Sequence, residues 1–145
     1  MTIITAAYAS STAPPEPFFD RWADMATWPE WNLDTEWVRL DGPFVAGATG
    51  ALKPRGGPKV RFVVERLVPG REFVDVSRLF GARLTFAHHV TERPQGGCEI
   101  KVTVAMAGPL RALWTRILGG GLRASAQGDL DRLVAAVEAA RAVAA

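Results

Sequence analysis

The sequence predicts an α+β fold, in which a curved antiparallel sheet of about seven strands wraps around one long C-terminal helix and two short helices follow the first strand. Three observations predict it. Between Trp37 and Met106, runs rich in β-branched and aromatic residues alternate with turn segments only a few residues long. From Gly108-Pro109 almost to the end, apolar residues recur at helical spacing. Ahead of both lies Thr27-Trp28-Pro29-Glu30-Trp31-Asn32, a proline-bearing helix start that sets two indoles close to a third at Trp37 and points to a fold built around a cavity.

The elements follow in order. Thr2 to Ala9 mixes β-branched and small residues and stops at Ser10-Ser11-Thr12-Ala13-Pro14-Pro15, which reads as a strand followed by a helix entry. Pro15-Glu16-Pro17 suits a first helical turn, and Phe18, Phe19 and Trp22 then form one aromatic face. In the second short helix Thr27 is placed to cap and Glu30, three residues on, to reach back to the cap amide as a capping box. Pro29 gives up no needed hydrogen bond so early in a helix.

Six strand-like runs come next: Trp37–Leu40, Gly50–Leu52, Val60–Val68, Glu72–Phe80, Leu84–Thr91 and Cys98–Met106. Their separators, among them Asp41-Gly42-Pro43, Gly56-Gly57-Pro58 and Pro94-Gln95-Gly96-Gly97, are too short for crossover helices and predict hairpins in a meander. In the last run Ile100, Val102, Val104 and Met106 share a dry face opposite Glu99, Lys101 and Thr103. The C-terminal stripe runs through Leu110, Leu113, Trp114, Ile117, Leu118 and Leu122, and resumes at Leu130, Leu133, Val134 and Val137. Gly119-Gly120-Gly121 interrupts it; three glycines cost about 3 kcal/mol relative to alanines in a helix interior, so a kink, loose turn or hinge is expected there.

Composition bounds the function. The 145 residues fit a single domain, 1–145, with enough core to need no disulfide or metal staple. The lone Cys98 cannot form an internal bridge, no Cys/His spacing suits zinc, and neither cofactor nor metal is expected. The net charge of +2 comes from Lys and Arg scattered among Asp and Glu, which gives nucleic-acid binding no support. Lys53, Arg55, Lys59 and Arg61 flank the Gly56-Gly57-Pro58 turn and read as a solvated hairpin rather than an anion rim. There is no basic leader, and no uncharged stretch reaches the roughly 20 residues a membrane span requires, so the expectation is a cytoplasmic protein, monomer or homodimer, without membrane insertion.

Strand, two small helices, meander and long helix together make the helix-grip layout. Ala26-Thr27-Trp28-Pro29-Glu30-Trp31-Asn32, Leu40-Asp41-Gly42-Pro43, Val68-Pro69-Gly70-Arg71-Glu72-Phe73, Phe86-Ala87-His88-His89-Val90 and Ala107-Gly108-Pro109-Leu110 resemble the polyketide cyclase/dehydrase-like members of the START-like (SRPBCC) superfamily. The resemblance spans nearly the whole chain. It implies the fold; the superfamily includes aromatic polyketide cyclases, lipid and hormone carriers and toxin–antitoxin partners, and none of these motifs is a catalytic signature.

Strand parity supplies candidate cavity residues. Leu84, Phe86, His88 and Val90 share a face, so His88 is a lone imidazole among apolar neighbours, and its ordinary pKa of about 6.5 suits it to orient a ligand carbonyl or to act as general acid/base. His89 faces the opposite, solvated side. On the neighbouring strand Phe73, Asp75, Ser77 and Leu79 oppose Val74, Val76 and Arg78, and parity leaves open which set is inward: Asp75 would orient His88, whereas Arg78 would bind a ligand carboxylate. Trp31, Trp37, Phe62, Val64, Phe86, Met106, Trp114, Ile117 and Leu118 are the expected aromatic and aliphatic lining. Burying about 300 Å² of apolar ligand surface gains at most about 7.5 kcal/mol before association costs, enough for micromolar binding with few polar contacts. The expected partner is thus a small hydrophobic molecule of lipid, sterol or aromatic polyketide type. The alternatives are a cyclase or dehydrase using His88 with Asp75, and a protein-interaction module whose cavity is filled.

Overall fold

The computed structural model describes residues 1–144. Strand β1 (Thr2–Ser11) leads into helix α1 (Glu16–Ala23) and a 3₁₀ turn (Met25–Glu30). The meander follows as β2 (Thr35–Asp41), β3 (Thr49–Pro54), β4 (Val60–Val68), β5 (Glu72–Leu79), β6 (Ala82–Glu92) and β7 (Cys98–Ala107), and α2 (Arg111–Ala144) ends the chain. The seven strands form one sheet in the order β1-β7-β6-β5-β4-β3-β2, every neighbouring pair antiparallel. The first and last strands of the chain are therefore neighbours, and α1 with the 3₁₀ turn carries the chain from one sheet edge to the other. Register shifts at Ile3/Thr5, Thr35/Trp37 and Val64/Arg66 put an extra residue into a strand at each place, which bends the sheet into a curve.

Polar groups on α2 cover the β1 edge. The Gln127 side chain donates to the Tyr8 carbonyl at 2.8 Å and accepts from the Tyr8 amide at 3.1 Å, as a paired strand residue would. One helical turn earlier Arg123 donates to the Ile4 carbonyl at 3.3 Å, and further on the Ser11 hydroxyl donates to Glu138 at 2.7 Å. These contacts satisfy an otherwise open edge and fix the helix over β1 and β7.

Two local expectations are corrected. The capping box does not form: Thr27 lies inside the 3₁₀ turn and donates its hydroxyl to the Asp24 carbonyl at 2.7 Å, while Glu30 pairs with Arg21 at 3.4 Å. Pro29 is also inside the turn rather than at its start. The three glycines do not break α2, which is continuous from Arg111 to Ala144. The helix is held on both sides of them, by Trp114, Leu118 and Leu122 against one cluster and by Leu130, Leu133 and Val137 in another. Gly119 is buried, and a Cβ there would approach the guanidinium of Arg123 to 3.1 Å, so a side chain would press on the group that clamps β1.

The core divides in two. At one end Phe18, Phe19 and Trp22 of α1 and Met25, Trp28 and Trp31 around the 3₁₀ turn pack on Phe62, Phe73 and Val90 of the sheet and on the second half of α2. At the other end Ile4, Ala82, Leu84, Val104 and Met106 meet Trp114, Leu118 and Leu122 from its first half. Cys98 is buried at the start of β7; burial, then Glu16 and Glu92, push its thiol up to about 11, so it is a neutral core residue. No helix is long and apolar enough to cross a membrane among the described residues.

Candidate functional site

A cavity of about 90 Å³ lies at the aromatic end, between the concave sheet face and α2. Trp22, Trp28 and Trp31 form one wall; Phe62, Phe86, Val102 and Val104 form the sheet side; Ala126, Leu130 and Leu133 form the helix side. Its polar groups are Asn32, Asp75, Ser77, His88 and Asp129, and neither Lys nor Arg lines it. Phe62 reaches the cavity because Gly50 on β3 has no side chain: a Cβ there would meet the Phe62 ring at 2.5 Å.

The structure answers the parity question on β5. Phe73, Asp75 and Ser77 point inward and are buried, whereas Arg78 is exposed. His88 stacks on Phe73, with ring centroids 4.7 Å apart and planes at 12°, and Trp22 covers it at 4.9 Å. The Phe73 carbonyl lies 2.8 Å from His88 Nδ1. A carbonyl only accepts, so Nδ1 carries the proton and Nε2 is left as a bare acceptor. Burial lowers the imidazole to about 4, against the raising effect of that hydrogen bond and with a smaller lowering from His89, so His88 is neutral at pH 7.

Asp75 lies diagonally from His88 across β5 and β6, since Asp75 pairs with Phe86 and Phe73 pairs with His88. The expected carboxylate–imidazole pair is not made: His88 Nδ1 bonds the strand backbone, and no hydrogen bond joins Asp75 to the ring. Burial alone pushes the Asp75 carboxyl up to about 8, with no cation or donor beside it to oppose the shift. At pH 7 it is therefore a carboxylic acid with an O–H to donate. Asp129 is also raised by burial, but less deeply set and held by Arg132, whose Nη2 bonds it at 2.5 Å. The Arg132 Nε donates to the Trp31 carbonyl at 3.0 Å, tying α2 to the loop that carries Trp31 and Asn32. Trp28 Nε1 donates to the Trp22 carbonyl at 3.2 Å, but the indole N–H groups of Trp22 and Trp31 are buried without a partner.

Of the expected lining residues, Trp31, Phe62, Asp75, Phe86 and His88 meet at this cavity. Val64 is fully buried in the core beside it without lining it. Met106, Trp114 and Leu118 belong to the cluster at the other end, where the Trp114 indole donates to the Phe80 carbonyl at 2.7 Å. Trp37 alternates with inward Val38 and lies on the outer face, with Arg39 over its ring at 5.7 Å. Ile117 is 59% exposed, as Leu113 is 50%, because α2 rests on the sheet along Trp114, Leu118 and Leu122. His89 is outward and half-exposed, near Glu72 at 3.3 Å. Leu130 and Leu133 were expected on the apolar stripe of the helix but not as cavity lining, and Ala126 was not expected at all. For the two leucines the signal was the stripe resumed after Gly128.

The geometry agrees with what the chain is similar to. The family described as "Polyketide cyclase / dehydrase and lipid transport" matches residues 2–138. No curated protein matches the sequence. Among solved structures, protein MLL2253 from Mesorhizobium loti superposes with a TM-score of 0.72 at 15% identity, over 92% of this chain and 96% of its own. Ara h 8.0201 does so with a TM-score of 0.71 at 14% identity, over 93% and 97%. Norcoclaurine synthase from Thalictrum flavum gives 0.69 at 10% identity, over 92% and 84%. Identities this low speak for a shared fold alone. The sheet order, the long C-terminal helix and the match over residues 2–138 together make this chain a member of the polyketide cyclase/dehydrase and lipid transport family, within the START-like (SRPBCC) superfamily.

Proposed function

We propose that this protein binds a small, mainly apolar, ring-bearing molecule in the cavity between the sheet and the second half of α2. The observation that carries the reading is a void of about 90 Å³ walled by aromatic rings and lined by Asp75, Ser77 and His88, in which the buried indole N–H groups of Trp22 and Trp31 lack hydrogen-bond partners among the described residues. Buried polar groups are normally satisfied, so groups left open toward a cavity are groups a ligand satisfies. The volume favours one or two rings over a sterol, since pockets for larger ligands run to roughly 300–1,000 Å³. Native mass spectra of the protein, emptied and then offered a mixed library of lipids and aromatic ketones, test this: a selected small adduct is expected, and it is lost in Ala126→Phe, which fills the helix side of the cavity. Adducts equally abundant in that variant would place the ligand elsewhere, and no adduct would favour an interaction module.

A second reading, a cyclase or dehydrase, draws on the same two groups. Asp75 holds a proton at neutral pH and His88 offers a free acceptor, the two roles an acid–base elimination of water needs. Under that reading His88→Ala abolishes turnover of an aromatic β-hydroxy ketone while its affinity changes little. For a carrier, Phe86→Ala weakens affinity and no turnover is seen in either protein.

A further inference from the structure

The charge inventory of the cavity is one-sided. Two carboxyls, Asp75 and Asp129, line it, and no Lys or Arg does. The nearest guanidinium, that of Arg132, is committed to Asp129 and to the Trp31 carbonyl. Two of the lining indoles, Trp22 and Trp31, keep unpartnered N–H groups, and both side chains are at least nine-tenths buried. Among the described residues the Asp75 carboxyl meets no cation: β4 presents Val64 to it, β6 presents Phe86 and His88, and across the cavity α2 contributes Ala126, Asp129, Leu130 and Leu133 to the lining. An anionic ligand would find no lining cation to neutralise it, at a depth where an unpaired charge is expensive.

We infer that the cavity favours neutral molecules carrying a hydrogen-bond acceptor, such as an aryl ketone, over carboxylates, fatty acids included, because no cation lines it, with Asp75 as a donor to that acceptor. The inference rests on the ligand-binding reading above and narrows its ligand. Burial keeps Asp75 protonated up to about pH 8, which makes it a donor to a carbonyl oxygen below that pH and a buried anion above it.

Calorimetric titrations with acetophenone and with benzoate, which share one ring, test it on the whole protein and on Asp75→Asn at pH 6.5 and 9.5. The expected result is at least tenfold tighter binding of acetophenone than benzoate at pH 6.5. Raising the pH to 9.5 should weaken acetophenone about tenfold in the unaltered protein and leave its affinity in Asp75→Asn, whose amide still donates, the same at both pH values. Benzoate binding within threefold of acetophenone, together with loss of both in Ala126→Phe, would overturn the charge preference while leaving a ligand site in the cavity. A tenfold weakening of acetophenone between pH 6.5 and 9.5 in Asp75→Asn as well would overturn the role of Asp75. Binding of neither compound at millimolar concentration would overturn the ligand reading and this inference with it.

Discussion

The two ends of the core are built from the same sheet and the same helix, yet they do different work. At the Met106 end, aliphatic side chains from β1, β6 and β7 close on Trp114, Leu118 and Leu122. At the Trp22 end, aromatic rings hold apart surfaces that carry an acid, an imidazole and a hydroxyl, and a void remains. Phe86 and Val104 form the partition, since each touches the aliphatic cluster and also lines the cavity. Close packing stabilises the first end; the second gives up packing density for unpaired polar groups, the usual mark of a site rather than a scaffold.

The comparison can be broken by substitution. Phe73 is fully buried and touches Trp22, Trp28, Phe44 and His88. Phe73→Ala should lose about 4 kcal/mol of stability in urea unfolding and weaken ligand binding as well, because His88 loses its stacking partner. Met106→Ala, equally buried at the closed end, should lose about 3 kcal/mol and leave affinity unchanged. Equal damage to affinity from both would erase the distinction between the ends.

The pH response isolates the aromatic end. Asp75 is raised in the folded state from 3.8 to about 8, so between those values the folded protein holds a proton that the unfolded chain has released, and stability falls as pH rises. His88 is lowered from 6.5 to about 4, so its contribution is lost as pH falls through that window. The two oppose each other between about pH 4 and 6.5, and Asp75 acts alone above it. Stability should therefore decline by about 2 kcal/mol from pH 6.5 to 8, at roughly 1.4 kcal/mol per pH unit, and this decline should vanish in Asp75→Asn.

The smallest effect is expected in the link between the ends. Gly120 has open space where a Cβ would stand. Gly120→Ala should raise stability by about 1 kcal/mol because α2 is helical there, whereas destabilisation would restore the hinge that the glycines suggest.

The fold was legible because its signals are local. The Cys98 to Met106 alternation, the turn residues between strands and the helical stripe after Pro109 each report on a few neighbouring residues, and the strand ends deviate by no more than two positions. The half of the site carried by the sheet was legible for the same reason, since parity alone put Phe86 with His88. The other half depends on which part of α2 faces α1 and the 3₁₀ turn, and that is set by the Arg123, Gln127 and Glu138 clamps to β1, more than a hundred residues away in sequence. Bulk misled as well: Trp37, Trp114 and Ile117 drew the eye, but the cavity sits where a small residue, Ala126, leaves room.

The five indole N–H signals of a ¹⁵N-labelled sample sample both ends at once, with Trp22, Trp28 and Trp31 at the cavity, Trp114 at the closed end and Trp37 on the outer face. Saturation with acetophenone at pH 6.5 should move the Trp22 and Trp31 signals, whose donors have no partner in the protein, and leave Trp114 and Trp37 in place. Movement of Trp114 or Trp37 with Trp22 and Trp31 unchanged would contradict a binding site at the aromatic end.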